Sequence, residues 1–450
     1  MASNIIISGA AGSGKSHLVR QWPPGMSTAS AFSPIHDSPR AMTIHALTGV
    51  KPSAITNALV LFQMCTKQDS PLWHVCKFDE VLYVEEAFTC PAFMIALLIA
   101  LVDHYARVHG RAPLRIVLIG DPFQCPPVLH NPNNIRCASG LFVGDPFILA
   151  HLQAKHIHLT TSHRHGQCER TQTLMRACRH CVWSPTALDV LRNYVYTGPV
   201  VELLKRMVVL VATNDKVAKI TEQHMTLFAK KTKIIAAPAP NATDCEDDSI
   251  QIAIGQTCVC TRNHSPPRGP SYYNGEVVTV LAINGVSDEE GGPLPITMRA
   301  KGCKFITLQR ESGDIFDMVP SKTSSGGCQF DLLSGTILTI HRAQGMTLAR
   351  VAIDLENVET PGSVYTAMSR IREVGDPSDL GTHTLGEKQN FAVLNLNEDH
   401  LVDQRRHLNP VATEFDERGV KDTPMPHKLH EPRENCIICM CAMHSLKLLQ

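Results

Sequence analysis

Apolar residues along this chain fall first into short unbroken runs. Ile5 to Ser8, Val81 to Val84 and Arg115 to Ile119 read as buried strands, and each is followed at once by a glycine loop or by acidic residues. Between them lie stretches of helical character. One helix follows the first strand and is stopped by Pro23 and Pro24; the apolar run Phe93 to Val102 reads as a buried helix, too short to cross a bilayer and followed by His104 and Arg107. Strand, loop and helix in this order predict a doubly wound parallel sheet, in which ligands bind at the carboxyl ends of the strands. A second αβ pattern starts at Val208 to Ala212 and is interrupted by the polar stretch 236–248, read as a linker. The pattern then changes. Short β runs at Thr257 to Cys260, Glu276 to Ile283 and Lys304 to Leu308 alternate with turn pairs Asn274-Gly275 and Gly291-Gly292, as in a small β-barrel insertion. Thr336 to Ile340 and Val351 to Leu355 return to parallel-strand character. From about residue 397 the chain is charged and proline-rich, and a flexible tail is expected.

Composition narrows the class only a little. The 450 residues are 44% hydrophobic and 19% charged, enough for two or three packed domains and unlike a disordered polyelectrolyte. The formal net charge is zero, so nucleic-acid binding, if present, must come from local grooves rather than from a global basic field. The 16 cysteines show no regular disulfide spacing, and most read as reduced thiols of an intracellular protein, nuclear or cytoplasmic and not secreted. The start of the chain lacks the basic flank of a signal peptide, and no membrane partner is expected.

Three sites carry chemistry. Gly9-Ala10-Ala11-Gly12-Ser13-Gly14-Lys15-Ser16 matches the P-loop pattern and follows a predicted strand. Its backbone N–H groups, those of Gly9, Gly12 and Gly14 included, would wrap the phosphates of ATP; Lys15 would neutralise the β- and γ-phosphates and Ser16 would ligate Mg2+. The second site, Val81 to Phe88, ends a strand in two adjacent carboxylates, Glu85 for the metal and Glu86 for the attacking water. Taken alone, it also reads as a solvated turn. The third, Leu118 to Val128, places Asp121 after a strand to cap the loop and support the metal, with Gln124 able to reach the γ-phosphate; its plain reading is a proline-rich turn.

P-loop, acidic strand and Gly-Asp-Pro-Phe-Gln in this order resemble the superfamily 1 helicases. Thr43 to Gly49, Thr161 to Arg164, Val211 to Thr221, Thr339 to Leu348 and Val364 to Glu373 resemble further motifs of that family, and Tyr273 to Val278 resembles the small barrel of its petite-integration-frequency and RecD branch. The Ala-Met-Ser-Arg form also resembles the helicase subunit of herpesvirus helicase–primase complexes, a looser hint of viral origin and of a host-nuclear setting. The resemblance spans residues 4 to 372. It implies an α/β fold of two RecA-like P-loop NTPase domains with parallel sheets flanked by helices: residues 1–150 with a short wedge near 50–78, then 151–254 with 331–396, a β-barrel-like insertion at 255–330, and a tail at 397–450. It implies an Mg2+-dependent ATPase that moves 5′ to 3′ on single-stranded DNA and opens forked DNA in replication, repair or recombination, with a replisome or primase partner. Arg164 and Arg370 would reach the γ-phosphate from the second domain, where the fork of a guanidinium suits phosphate oxygens. Gln344 and Gly345 would link the ATP site to the DNA groove, and Thr43, His45, Thr339 and His341 would contact DNA.

The chain departs from the family in having Glu85 where aspartate is usual, in lacking the upstream glutamine motif that reads adenine, and in leaving little room for a wedge. Trp73 lies in that short stretch and reads either as a base-stacking residue or as core. Two further classes stay open: an RNA helicase of the viral superfamily 1 type, and a nucleic-acid-binding scaffold with an inactive ATP site. Cys436, Cys439, Cys441 and His444 in the tail, and the pair Cys178 and Cys181, are candidate Zn2+ ligands, with reduced thiols as the alternative.

Overall fold

The computed structural model describes residues 4–22, 27–30, 42–49, 62–63, 65–66, 70–127, 141–165, 168–226, 232–235, 250–262, 264, 271–272, 276–283, 286–287, 305–310, 312–322, 328–333, 335–360, 362–375, 390–403, 412–413 and 415–416. They fall into two compact units. The first takes the described residues of Met1–Trp183, Thr360–Ser369 and Asp399–Gln450; the second takes those of Ser184–Glu359 and Arg370–Glu398.

The first unit is built on six parallel strands: β1 (Ile5–Gly9), β2 (Ser27–Ser30), β3 (Met42–Thr43), β4 (Val81–Glu85), β5 (Arg115–Gly120) and β6 (Lys155–Leu159), in the order β3-β2-β4-β5-β1-β6. The expected unbroken apolar runs sit at the centre, because a strand covered on both faces has no side to expose. Its helices are α1 (Lys15–Arg20), α2 (Ile44–Thr48), α3 (Pro71–Phe78), α4 (Ala92–Val108), α5 (Pro146–Leu152) and α6 (Glu169–His180). Val19 on α1 packs with Ile7, Val81, Tyr83, Val117 and Ile119 on the sheet, and each large apolar side chain so buried stabilises the unit by about 1.5–3 kcal/mol. The predicted buried helix is α4, apolar nearly all round and covered by α3 and α5. No helix among the described residues is long and apolar enough to cross a membrane. Ser70 caps α3 by accepting from the Trp73 N–H, and Asp145 caps α5 by accepting from the N–H groups of Phe147 and Ile148.

The second unit holds a parallel sheet of β7 (Val208–Val211), β18 (Ile337–Thr339), β19 (Val351–Asp354) and β20 (Phe391–Leu394), in the order β18-β7-β19-β20, with helices α7 (Pro185–Arg192), α8 (Val200–Leu203) and α9 (Asn214–Thr226). Between β7 and β18 in sequence come a hairpin of β8 (Thr232–Ile235) with β9 (Ile250–Ala253) and an antiparallel sheet. That sheet comprises β10 (Thr257–Cys260), β11 (Val277–Ile283), β12 (Val286–Ser287), β13 (Ile306–Arg310), β14 (Ile315–Met318) and β17 (Leu332–Leu333). A separate pair, β15 (Ser321–Lys322) with β16 (Cys328–Gln329), precedes β17. The antiparallel sheet has its own core, including Val278, Val280, Ile306, Leu308, Phe316 and Leu332. Its strand order is β14-β13-β11-β10-β17 with β12 on β11; closure into a barrel is not seen among the described residues.

Three boundaries differ from the sequence reading. The first unit does not end at residue 150: β6 pairs with β1 over Ile5↔Lys155 to Gly9↔Leu159, so the next strand completes the first sheet. Residues of Thr360–Ser369, assigned above to the second domain, cluster with the first unit because the helix Ser363–Met368 is buried there. The tail is not flexible throughout. A helix forms at Glu398–Asp403, and Ala412 and Phe415 are buried, Phe415 against Phe88 and His156 at ring separations of 5.6 and 4.3 Å. Their apolar surface outweighs the charged composition around them. Pro23, Pro24, the stretch 236–248, the turn residues Asn274, Gly275, Gly291 and Gly292, and the cluster Cys436, Cys439, Cys441 and His444 lie outside the described residues.

Candidate nucleotide site

Three adjacent strands of the first unit end together. β1 and β5 are in register over Ile5↔Val117 to Ser8↔Gly120, and β5 pairs with β4 up to Val84↔Leu118. The residues that follow are therefore neighbours at one edge of the sheet: the loop from Gly9 to Gly14, then Glu85 and Glu86, then Asp121. In a parallel sheet this carboxyl edge is where ligands bind.

The loop turns on left-handed glycines, Gly12 at φ +75 and Gly14 at φ +85. Gly12 also has no room for a side chain, since a Cβ there would lie 2.4 Å from the Arg164 Cβ. The Thr161 to Arg164 segment lies against this loop: His163 N–H donates to Gly12 O at 2.8 Å and Ser162 Oγ donates to Ala11 O at 3.4 Å. Lys15 opens α1, and its Nζ donates to Gly9 O at 2.8 Å and Ala10 O at 2.9 Å. Burial lowers its pKa, and the carboxylates of Asp121 and Glu86 act against that shift. Ser16 follows, half-buried, and Ser13 Oγ is buried with no hydrogen-bond partner among the described residues.

Glu85, the last residue of β4, is 2% exposed, whereas Glu86 is half-buried. Glu86 adopts φ 50, a left-handed conformation costing a non-glycine residue about 1–2 kcal/mol. The helical turn Ala87–Thr89 sustains it, with Thr89 N–H and Oγ1 both donating to Glu86 O, at 3.0 and 2.6 Å. Asp121 caps its loop as expected, Oδ1 accepting from Phe123 N–H at 3.2 Å. Gln124 is buried, and its Oε1 has no hydrogen-bond partner among the described residues. A buried amide oxygen without a partner is uncommon and suits a group that awaits a ligand.

Arg164 is a correction. It was expected to come from the second domain, but it belongs to the unit that carries the P-loop, and its Nη1 donates to Ser369 O at 2.9 Å. Thr43 ends β3 at the sheet edge and His45 lies on α2, where burial lowers its pKa. Residues 50–61, 64 and 67–69 of the expected wedge lie outside the described residues, whereas Trp73 is described. It lies on α3, partly buried, with its ring edge-on to His74 and His109 at 5.0 and 4.7 Å and with Lys77 Nζ 4.9 Å from its centroid. Cys178 and Cys181 are buried at the end of α6. Burial raises both thiols, against the thiolate that zinc requires, and no group of three metal-binding side chains occurs among the described residues.

In the second unit, Thr339 ends β18 and the turn after it carries His341, Gln344 and Gly345. Arg342 N–H donates to Thr339 Oγ1 and Gln344 N–H to His341 O, at 3.3 and 3.2 Å. Gln344 is 6% exposed, and neither polar atom of its side chain has a hydrogen-bond partner among the described residues. Burial lowers the His341 pKa. Arg370 is 3% exposed, and its carbonyl accepts from Leu348 N–H at 2.9 Å, which ties this segment to the end of the Gln344 turn. A cavity of 330 Å3 nearby is lined by Glu276, Arg310, Ser312, Thr347 and Arg372.

The sequence reading missed several residues. Tyr365 lies inside a quoted motif but was given no task; its hydroxyl donates to Asp121 Oδ2 at 2.5 Å and accepts from Ala11 N–H at 2.9 Å. Arg179 and Asp416 have no sequence signal at all.

This is the arrangement of a P-loop nucleotide-binding protein of the RecA-like α/β type. No protein-family model matches the chain. In sequence it resembles the ATP-dependent DNA helicase Pif1 of Bdellovibrio bacteriovorus, 23% identical over 408 residues, covering 85% of this chain and 84% of that one. Its fold is that of the Pif1 helicases. The Candida albicans Pif1 structure matches with a TM-score of 0.65 at 16% identity, over 93% of this chain and 96% of that one. A Bacteroides Pif1 structure in complex with ADP-AlF3 and ssDNA matches with a TM-score of 0.62 at 16% identity, over 93% and 94%.

Proposed function

We propose that this chain is an ATP-hydrolysing DNA helicase that moves along single-stranded DNA and opens forked duplexes. The observation that carries the reading is the convergence, at the ends of β1, β4 and β5, of a complete P-loop, two adjacent carboxylates and Asp121. The resemblance to the Pif1 helicases along most of the chain supports the substrate.

In this reading Lys15 leaves its two carbonyl partners to meet the β- and γ-phosphates of ATP, and Glu86 takes the proton of the attacking water. The donor set fits Mg2+, a hard cation that prefers oxygen: the Ser16 hydroxyl and the buried Glu85 carboxylate would hold it. When bound it supplies charge neutralisation across the phosphates. Gln124 senses the γ-phosphate through its buried amide, Arg164 and Arg370 stabilise the charge developing there, and Gln344 and Gly345 pass the nucleotide state to the DNA-contacting residues Thr43, His45, Thr339 and His341. Polarity 5′ to 3′, a part in replication, repair or recombination, and a replisome or primase partner rest on the family resemblance.

Steady-state ATP hydrolysis with and without single-stranded DNA, with Lys15→Ala as control, tests the motor. Stimulation by DNA that disappears in the variant is the expected result. A flat response with intact nucleotide binding would instead favour an inactive scaffold, the reading to which Glu85 in the aspartate position lends weight. Unwinding of matched forked DNA and RNA duplexes then decides the substrate.

A further inference from the structure

Behind the nucleotide site runs an unbroken line of hydrogen bonds, all within the first unit. Ala11 N–H, in the P-loop, donates to Tyr365 Oη at 2.9 Å, and that hydroxyl donates to Asp121 Oδ2 at 2.5 Å. The other oxygen of Asp121 accepts from Arg179 Nη2 at 3.4 Å. The same guanidinium holds Asp416 in a fork, Nη2 to Oδ1 at 2.9 Å and Nη1 to Oδ2 at 3.2 Å, and lies 4.3 Å from the centroid of the Phe123 ring. Asp121 and Tyr365 are each 1% exposed, and the side chains of Arg179 and Asp416 are 10% and 12% exposed. A second hydrogen bond runs in parallel, Cys125 N–H to Thr366 Oγ1 at 2.8 Å.

One cation shared by two buried carboxylates leaves a surplus negative charge. The Tyr365 hydroxyl meets it on Asp121, and His158 Nδ1 lies 3.7 Å from Asp416. Among the described residues, Lys15 on α1 and His180 on α6 also face this line, and Ser8 Oγ on β1 holds His158 Nδ1. Burial works to lower the Arg179 guanidinium, but Asp121, Tyr365 and Asp416 outweigh it, so the arginine stays charged. Burial raises the Tyr365 phenol, with Asp121 adding to the effect, so it stays a donor. Arg179 is thus held charged and Tyr365 held as a donor, and removing either leaves a buried charge or dipole without its partner.

We propose that Tyr365 and Arg179 are positioning residues of the nucleotide site: they set the P-loop backbone at Ala11 and the carboxylate of Asp121, and Asp416, far along the chain, holds Arg179 in place. The inference rests on the ATPase reading above and adds to it a path by which the C-terminal segment governs nucleotide affinity. None of the three residues is among those assigned above to the phosphates. Their loss should loosen the loop that binds nucleotide rather than remove the groups that cleave it.

The test uses the full chain with Mg2+ and a fluorescent N-methylanthraniloyl ADP, together with ATP hydrolysis and amide exchange of the P-loop peptide. Tyr365→Phe keeps the ring and removes both hydrogen bonds. It should weaken nucleotide binding and raise KM for ATP about tenfold while kcat changes less than about threefold, and it should speed exchange at Ala11. Arg179→Gln should do the same, Arg179→Lys should recover part of the loss, and Asp416→Asn should give a smaller shift in the same direction. Arg179→Gln strands two carboxylates and can unfold the unit; Tyr365→Phe, which strands neither charge, then decides. Wild-type binding and exchange in Tyr365→Phe, with binding lost in Lys15→Ala, would overturn this proposal and leave the ATPase reading standing. Wild-type binding in Lys15→Ala as well would remove both.

Discussion

At the scale of single residues, the two adjacent glutamates are divided by backbone geometry. Glu85 ends a strand with its carboxylate buried, whereas Glu86 is turned out of the strand by a left-handed backbone and faces the loop of Lys15. Glu86→Gln should therefore cut kcat about 10²- to 10⁴-fold while nucleotide still binds, the signature of a lost general base, checked by hydrolysis and fluorescent-nucleotide titration. If this variant turned over normally, the water would have to be activated elsewhere. Glu85→Asp should stay within about an order of magnitude of the parent, because a carboxylate remains at the strand end. Gly12→Ala meets two obstacles at once, a left-handed φ and the Arg164 Cβ; it should lower stability by about 1–3 kcal/mol in urea unfolding. The P-loop, the acidic pair and Asp121 were legible in the sequence because each follows a buried apolar strand and carries its chemistry in neighbouring residues. Arg179 and Asp416 were not, since their pairing spans a separation of 237 residues and neither stands in a patterned segment.

At the scale of elements, the parallel strands were readable because burial on both faces leaves an unbroken apolar run. Thr257–Cys260 in the antiparallel insertion falls where the alternation predicted, and the strands beginning near Glu276 and Lys304 shift by only one or two residues. Membership was harder than existence. β6 carries three residues, His156, His158 and Lys155, that do not look like core, yet it completes the first sheet because Ser8 Oγ satisfies His156 Nε2 and His158 Nδ1 at 2.7 and 2.9 Å. The polar side chains disguised a strand that the hydrogen-bond network makes acceptable. Two element-scale tests follow from named contacts. Asp145→Ala deprives the Phe147 and Ile148 N–H groups of their acceptor and should cost about 1 kcal/mol, read from the urea midpoint. Leu98→Ala in α4, a fully buried position, should cost about 2–5 kcal/mol; a loss below 1 kcal/mol would mean that the helix can collapse around the cavity.

At the scale of the whole molecule, burial lowers the pKa of five histidines spread over both units: His45, His158, His180, His224 and His341. Unfolded, each titrates near 6.5. Between that value and the lower folded one the unfolded chain binds more protons, so stability is full above about 6.5 and falls as pH drops. Thermal unfolding at pH 7.5 and at pH 5.5 should show a lower Tm at the acidic value; a flat or rising Tm would contradict the sign. The discontinuity of the first unit has a consequence during synthesis. A ribosome that has just released Trp183 has made all six strands of the nucleotide-binding sheet but neither Tyr365 nor Asp416. Asp121 then has no phenol, Arg179 has one carboxylate instead of two, and Phe88 lacks Phe415. The growing chain must carry this half-finished unit through the translation of the entire second unit, and a gene fragment ending at Trp183 would encode a protein stalled at that stage.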